Sequence, residues 1–151
     1  MHLAAYRARP DVFAVVHAHP PVATAFAVSG QGLPGDVLPE LVLQVGEVPL
    51  VPYATPGTDA LPDAMKPFLP NYDAFLLANH GVTTLGRTLM EAHQRMESVE
   101  HSANILLTAR LLGRVNALGV EDVRVLEAAR RRVSSGTAAS AAQGDVYGSE
   151  G

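Results

Sequence analysis

Val12-Phe13-Ala14-Val15-Val16-His17-Ala18-His19 is a β-branched and aromatic run set between Pro10-Asp11 and Pro20-Pro21. A run of that kind, bounded by turn-forming residues, predicts a β-strand. Side chains on a strand alternate between its faces, which puts Phe13, Val15, His17 and His19 on one side and Val12, Ala14, Val16 and Ala18 on the other. The two imidazoles then converge. Their Cα atoms would stand about 7 Å apart, a span that two nitrogens each about 2 Å from one zinc ion can bridge. A further strand is predicted over Asp73-Ala74-Phe75-Leu76-Leu77-Ala78-Asn79-His80, stopped by Gly81. It ends on a third histidine, and Gly81, lacking a side chain, leaves room there for a ligand. Three imidazoles would leave one tetrahedral position open to a substrate oxygen, which separates a catalytic zinc site from a structural one. A bare His-x-His pair also occurs where two histidines simply find hydrogen-bond partners, and on the pair alone that ordinary reading is the commoner one.

Outward from this strand, His2 to Arg9 reads as the end of a helix halted before Pro10, since proline disfavours helical geometry in the residue before it. Pro21 to Val28 suits a short helix with proline in its first turn, broken by Ser29-Gly30-Gln31-Gly32. Between Leu33 and Pro56 prolines and glycines recur, so Leu41–Val45 and Val48–Tyr53 are short elements. The second is predicted to be an edge strand, because Pro49 and Pro52 offer no N–H to a ladder. Thr58 is placed to cap a short helix curtailed by Pro67 and Pro70. Thr88 and Glu91, at capping-box spacing, open the longest helix, with Leu89, Ala92, Met96, Val99, Ala103 and Leu106 on one face and Gly113 at its end. Glu121–Val133 forms another amphipathic helix with Val123, Leu126 and Val133 inward, and Arg130-Arg131-Arg132 suit the negative pole of its dipole. One domain over residues 1–133 is expected, followed by a disordered tail of alanine, serine and glycine over 134–151.

Composition narrows the function. With 151 residues, 48% of them hydrophobic and 17% charged, the chain can bury a core around one sheet. A net charge of −4 without any block of lysine and arginine gives no footprint for nucleic-acid phosphates. No apolar run approaches the roughly 20 residues that span a bilayer, and the start has no secretory stretch, so a cytoplasmic protein without a membrane partner is expected. Since there is no cysteine, a metal would have to rest on histidine and carboxylate.

His17-Ala18-His19-Pro20, Pro52-Tyr53-Ala54-Thr55-Pro56-Gly57-Thr58 and Asn79-His80-Gly81 resemble the class II aldolase and adducin family in order and spacing. The likeness runs from His2 to about Gly113. It implies an α/β fold, three-layer α/β/α around a central, largely antiparallel sheet, here N-terminally truncated. It also implies a homotetramer with active sites between subunits, and zinc, or another divalent metal, at His17, His19 and His80. The implied activity is that of a zinc-dependent aldehyde-lyase of carbohydrate metabolism acting on a small-molecule sugar phosphate, fuculose-phosphate aldolase-like. In such enzymes the ion stabilises the enediolate formed when the carbon–carbon bond breaks. Tyr53 lies where these aldolases place a catalytic tyrosine that handles the proton of the aldehyde-side oxygen across the subunit interface; it equally suits packing an edge strand. The alternatives within the family are an epimerase, dehydratase or decarboxylase using the same metal, and a non-catalytic interaction domain like the adducin head, in which the ligands are usually lost.

Family members also carry, before the position of His2, a Ser-Ser-Glu type motif whose glutamate is the acid/base catalyst, and earlier an asparagine and serines that hold phosphate. This sequence starts downstream of them. Met1 is expected to be an internal methionine of a longer protein, because a chain beginning inside a helix leaves the sheet with an unprotected edge. Of the remaining candidates, His93, Glu97 and His101 share one helix face and are expected to be a solvated, weakly paired set. Glu40, Glu47 and Arg87 are expected to be surface groups.

Overall fold

The sheet is built from Ala14–Ala18 (β1), Leu50–Val51 (β2), Ala74–Leu77 (β3) and Gly81–Gly86 (β4), in the order β1-β4-β3-β2. The computed structural model describes residues 1–143, with side chains through Arg132. β1 and β3 each pair antiparallel with β4, while β2 pairs parallel with β3. β1, β2 and β3 therefore run the same way, and their C-terminal ends share one end of the sheet with the turn into β4.

Six helices are described: His2–Ala8 (α1), Pro21–Val28 (α2), Pro39–Gln44 (α3), Ala60–Met65 (α4), Leu89–Leu111 (α5) and Val120–Gln143 (α6). The alternation along β3 shows how they are layered. Phe75 and Leu77 pack with Ala5 of α1 and Leu61 and Met65 of α4. Ala74 and Leu76 pack with Phe26 of α2 and Met96, Val99, Ala103 and Leu106 of α5. Both faces of the sheet are thus covered, which makes the fold the three-layer α/β/α arrangement with a largely antiparallel sheet. On the outside, α6 contacts α3, and the Arg130 guanidinium donates to the Val45 carbonyl. Among the described residues no helix is long and apolar enough to cross a membrane.

Several elements differ from the sequence expectation. The stretch predicted as one strand over 73–80 is a strand followed by a turn: β3 ends at Leu77, and Gly81, just after the turn, opens β4 rather than stopping the chain. β1 closes at Ala18, so His19 lies just past it; Pro20 and Pro21 have no N–H with which to continue the ladder. Thr58 does not cap α4; its hydroxyl donates to the Thr55 carbonyl, and Asp59 takes the cap position. Leu89 points to solvent although α5 begins there; the first turn meets β4 through Ala92, whose carbonyl accepts from the Thr84 hydroxyl, and Leu89 lies one step before that contact. The rest of the predicted stripe on α5 is buried, Thr88 accepts from the Glu91 amide, and Gly113 follows the helix at φ +116°. β2 is an edge strand between Pro49 and Pro52, as predicted. The backbone of α6 runs past Val133, in keeping with the helix preference of alanine; residues 144–151 of the expected tail lie outside the described residues.

Away from the strand ends that carry the histidines, a charged network ties α1 to the sheet and α5. Arg9 donates to both Asp11 oxygens at 2.8 and 2.7 Å and to Asp73 at 3.0 Å, while Arg95 reaches the other Asp73 oxygen at 3.1 Å and Glu91 at 3.0 Å. The hydrogen bonds from Arg9 hold the Asp11 carboxyl below the usual carboxylate range. A carboxyl whose pKa is depressed on folding stabilises the fold above its unfolded value, and that contribution disappears as pH falls through the folded value. Asp11 is half exposed, so the contribution is about 0.5 to 1 kcal/mol after solvent screening. Urea titrations of Asp11→Asn and the parent chain should differ by that amount at neutral pH and converge as pH falls through the lowered folded-state value, where the parent carboxyl is uncharged as well.

Candidate metal centre

Three histidine rings meet at the shared end of β1 and β3. His17 is on β1, opposite Thr83 of β4. His19 follows one residue after β1, and His80 is the last residue of the β3–β4 turn. The turn is made possible by Asn79 at φ +56°, a left-handed conformation that asparagine tolerates better than most residues. Ring centroids are 4.9 Å apart for His17 and His19, 4.7 Å for His17 and His80, and 5.0 Å for His19 and His80. One ring nitrogen from each lies within 4.8 Å of the others. The nitrogens around a tetrahedral ion with bonds of about 2.1 Å stand roughly 3.4 Å apart, and the three rings converge toward that spacing.

The nitrogens are chemically suited to a cation. His17 Nδ1 is 2.8 Å from the Val82 carbonyl oxygen. A carbonyl only accepts, so Nδ1 carries the proton and Nε2 keeps a free lone pair. Backbone groups placed behind an imidazole in this way commonly fix a metal-binding tautomer. His80 Nδ1 is buried with no hydrogen-bond partner among the described residues, an uncommon condition for a buried polar atom. Burial pushes the His17 imidazole below its ordinary pKa, partly offset by the Val82 bond and reinforced by His80 and His19. Burial and then His19 do the same to His80. Both shifts favour the neutral rings that metals require.

Gly81 is needed where it stands. A Cβ there would fall against the His19 ring and 2.6 Å from the Ala18 carbonyl oxygen. The missing side chain therefore lets the β3–β4 turn approach the end of β1.

Tyr53 does not join the cluster. It sits two residues beyond β2, at the same end of the sheet, 62% exposed, and no hydrogen bond or ring contact links it to the histidines among the described residues. His93 and Glu97 form a loose exposed pair at 3.7 Å, and among the described residues only His17, His19 and His80 gather as three or more possible ligands. Glu40 is exposed, Glu47 accepts from the Tyr72 hydroxyl, and Arg87 pairs with Glu91. Two features of the structure around the histidines escaped the sequence expectation. The Val82 carbonyl belongs to β4, whose signal was the β-branched run Val82-Thr83-Thr84 between two glycines. Glu100 of α5 bonds to the start of α2 just after His19, a long-range contact with no local signature.

Residues 1–107 match the family described as the class II aldolase and adducin N-terminal domain, and the chain belongs to that family. It is 39% identical over 110 residues to the 3-oxo-tetronate 4-phosphate decarboxylase of Escherichia coli strain K12, covering 70% of this chain and 51% of that protein. It is 33% identical over 128 residues to the L-fuculose phosphate aldolase of the same strain, covering 83% of this chain and 59% of that one. A solved structure of an L-fuculose 1-phosphate aldolase superposes with a TM-score of 0.78 at 31% identity, over 83% of this chain and 59% of that one. The chain thus spans between half and three-fifths of these relatives.

Gly81→Ala tests the close approach. We expect a loss of about 1–3 kcal/mol in chemical denaturation, the usual cost of overpacking, together with displaced His19 ring resonances in NMR spectra. An unchanged midpoint with unmoved His19 signals would contradict the contact.

Proposed function

We propose that this chain carries the metal-binding part of a lyase that breaks a carbon–carbon bond beside a ketone in a phosphorylated sugar, with His17, His19 and His80 as ligands of a divalent ion, zinc in the first instance. The observation that supports this most directly is the convergence of three imidazoles, one of them fixed as the Nδ1–H tautomer by the Val82 carbonyl. Imidazole nitrogens also accept manganese, cobalt and iron.

Cleavage of a ketose phosphate and loss of carbon dioxide from a 3-oxo acid make the same electronic demand. In both, the electron pair of the broken bond is left on a carbon beside a carbonyl. A divalent ion in this site would supply the Lewis acidity that draws that charge toward the carbonyl oxygen. The chain's own contributions are distinct. The Val82 bond holds the His17 ring in one orientation, and burial keeps His17 and His80 uncharged. Tyr53 is proposed to handle the proton of the aldehyde-side oxygen in a neighbouring subunit's site, a role consistent with its exposure and its separation from its own triad. A cytoplasmic homotetramer acting in pentose or related sugar catabolism belongs to the same proposal. Decarboxylation is the second reading, supported by the 39% identity over 110 residues to the decarboxylase.

Titration of the purified chain with Zn²⁺ should show one ion per chain. His17→Ala, His19→Ala and His80→Ala should each weaken binding by at least about 100-fold, since losing a ligand exceeds the 10–100-fold cost of losing a group behind one. A chain with no stoichiometric affinity for any divalent ion would refute the proposal. Product analysis by NMR on phosphorylated ketoses and 3-oxo acids then separates the two chemistries, because one releases an aldehyde and the other carbon dioxide.

A further inference from the structure

His17 and His80 are fixed by the sheet itself: one lies within the β1 ladder and is bonded to Val82, the other occupies the hairpin turn between β3 and β4. His19 has neither support. It is exposed, it lies beyond the last paired residue of β1, and its ring forms no hydrogen bond among the described residues. Its place depends on how the backbone leaves it.

That backbone enters Pro20-Pro21, where two successive residues lack an N–H. Pro20 is also the N-cap of α2 and provides no side-chain oxygen to the helix. The next amides, Val22 and Ala23, would be unpaired donors of the first turn. Both are bonded to one carboxylate: the Val22 amide donates to Glu100 Oε1 at 3.0 Å, and the Ala23 amide to Oε2 at 2.8 Å. Glu100 comes from α5, whose Met96, Val99 and Ala103 are anchored in the core. A carboxylate accepting two amides at a helix start is a strong, directional link with favourable dipole electrostatics.

We propose that Glu100 is a positioning residue for the metal centre. It ties the corner that carries His19 to the rigid helix α5, so that the least supported of the three imidazoles stays within reach of the other two. This rests on the metal-binding reading of the triad, and the side chain acts through α2 without touching the ion.

The test is Zn²⁺ titration calorimetry on the parent chain, His19→Ala, Glu100→Ala, Glu100→Gln and Leu106→Ala, with hydrogen exchange followed at the Val22 and Ala23 amides. Glu100→Ala should bind Zn²⁺ about tenfold more weakly, in the range found when a group supporting a ligand is lost, and should exchange both amides faster. Glu100→Gln keeps one acceptor oxygen and should fall between Glu100→Ala and the parent; it carries the test if the alanine variant does not fold. Leu106→Ala, a core truncation on the same helix, should lower the melting temperature and leave Zn²⁺ affinity unchanged. The proposal fails if the Glu100 variants bind within about twofold of the parent while His19→Ala is impaired, or if Leu106→Ala weakens binding as much as they do. A parent chain that binds no ion overturns this proposal and the metal site together.

Discussion

The chain reverses direction between Leu77 and Gly81, and the candidate site depends on that reversal. Every amide of the turn is used: Ala78 donates to Val51 of β2, Asn79 to Ala27 of α2, and His80 back to Leu77. The turn is therefore bonded at once to the edge strand, to the helix after His19 and to its own strand. This leaves His80 little conformational freedom, and the backbone strain at Asn79 is borne by three hydrogen bonds. The reversal also sets the start of β4, so it decides which carbonyl faces His17.

The two sides of the sheet contribute differently to this end of the molecule. The α2 and α5 layer is a broad apolar cluster that fixes the long helix and, through it, Glu100. The α1 and α4 layer is smaller and is supplemented by polar ties, among them the Thr83 hydroxyl donating to the Met1 sulfur beside His17. Between these layers the Val82 carbonyl of β4 takes the His17 ring, and the first free amides of α2 take Glu100. Polar satisfaction and site geometry arise here from the same residues.

Much of this architecture was legible in the order of residues. The β-branched run before His17, the prolines flanking β2 and the apolar spacing along α5 each encode an element through local sterics or periodicity. The three histidines were legible as a set because two of them share one strand face and the third sits beside a glycine. What escaped was non-local or ambiguous in period. Gly81 reads locally as a stop, yet it opens β4, because the need for close approach to His19 is visible only once β1 lies alongside. Leu89 has the spacing of a core residue but precedes the point where α5 meets the sheet. Glu100 looks like one more charge on a polar helix, and its two partners are more than seventy positions away along the chain.

The pairing of Glu100 with α2 has a consequence for charge at the site. The first turn of a helix is ordinarily a receptive place for a phosphate, since its free amides and dipole both favour an anion. In this chain those amides are already occupied by an internal carboxylate, and an incoming anion near His19 would find filled donors and a like charge. Any grip on a negatively charged group must accordingly come from donors other than these two amides, and that requirement helps set the direction from which such a group can approach.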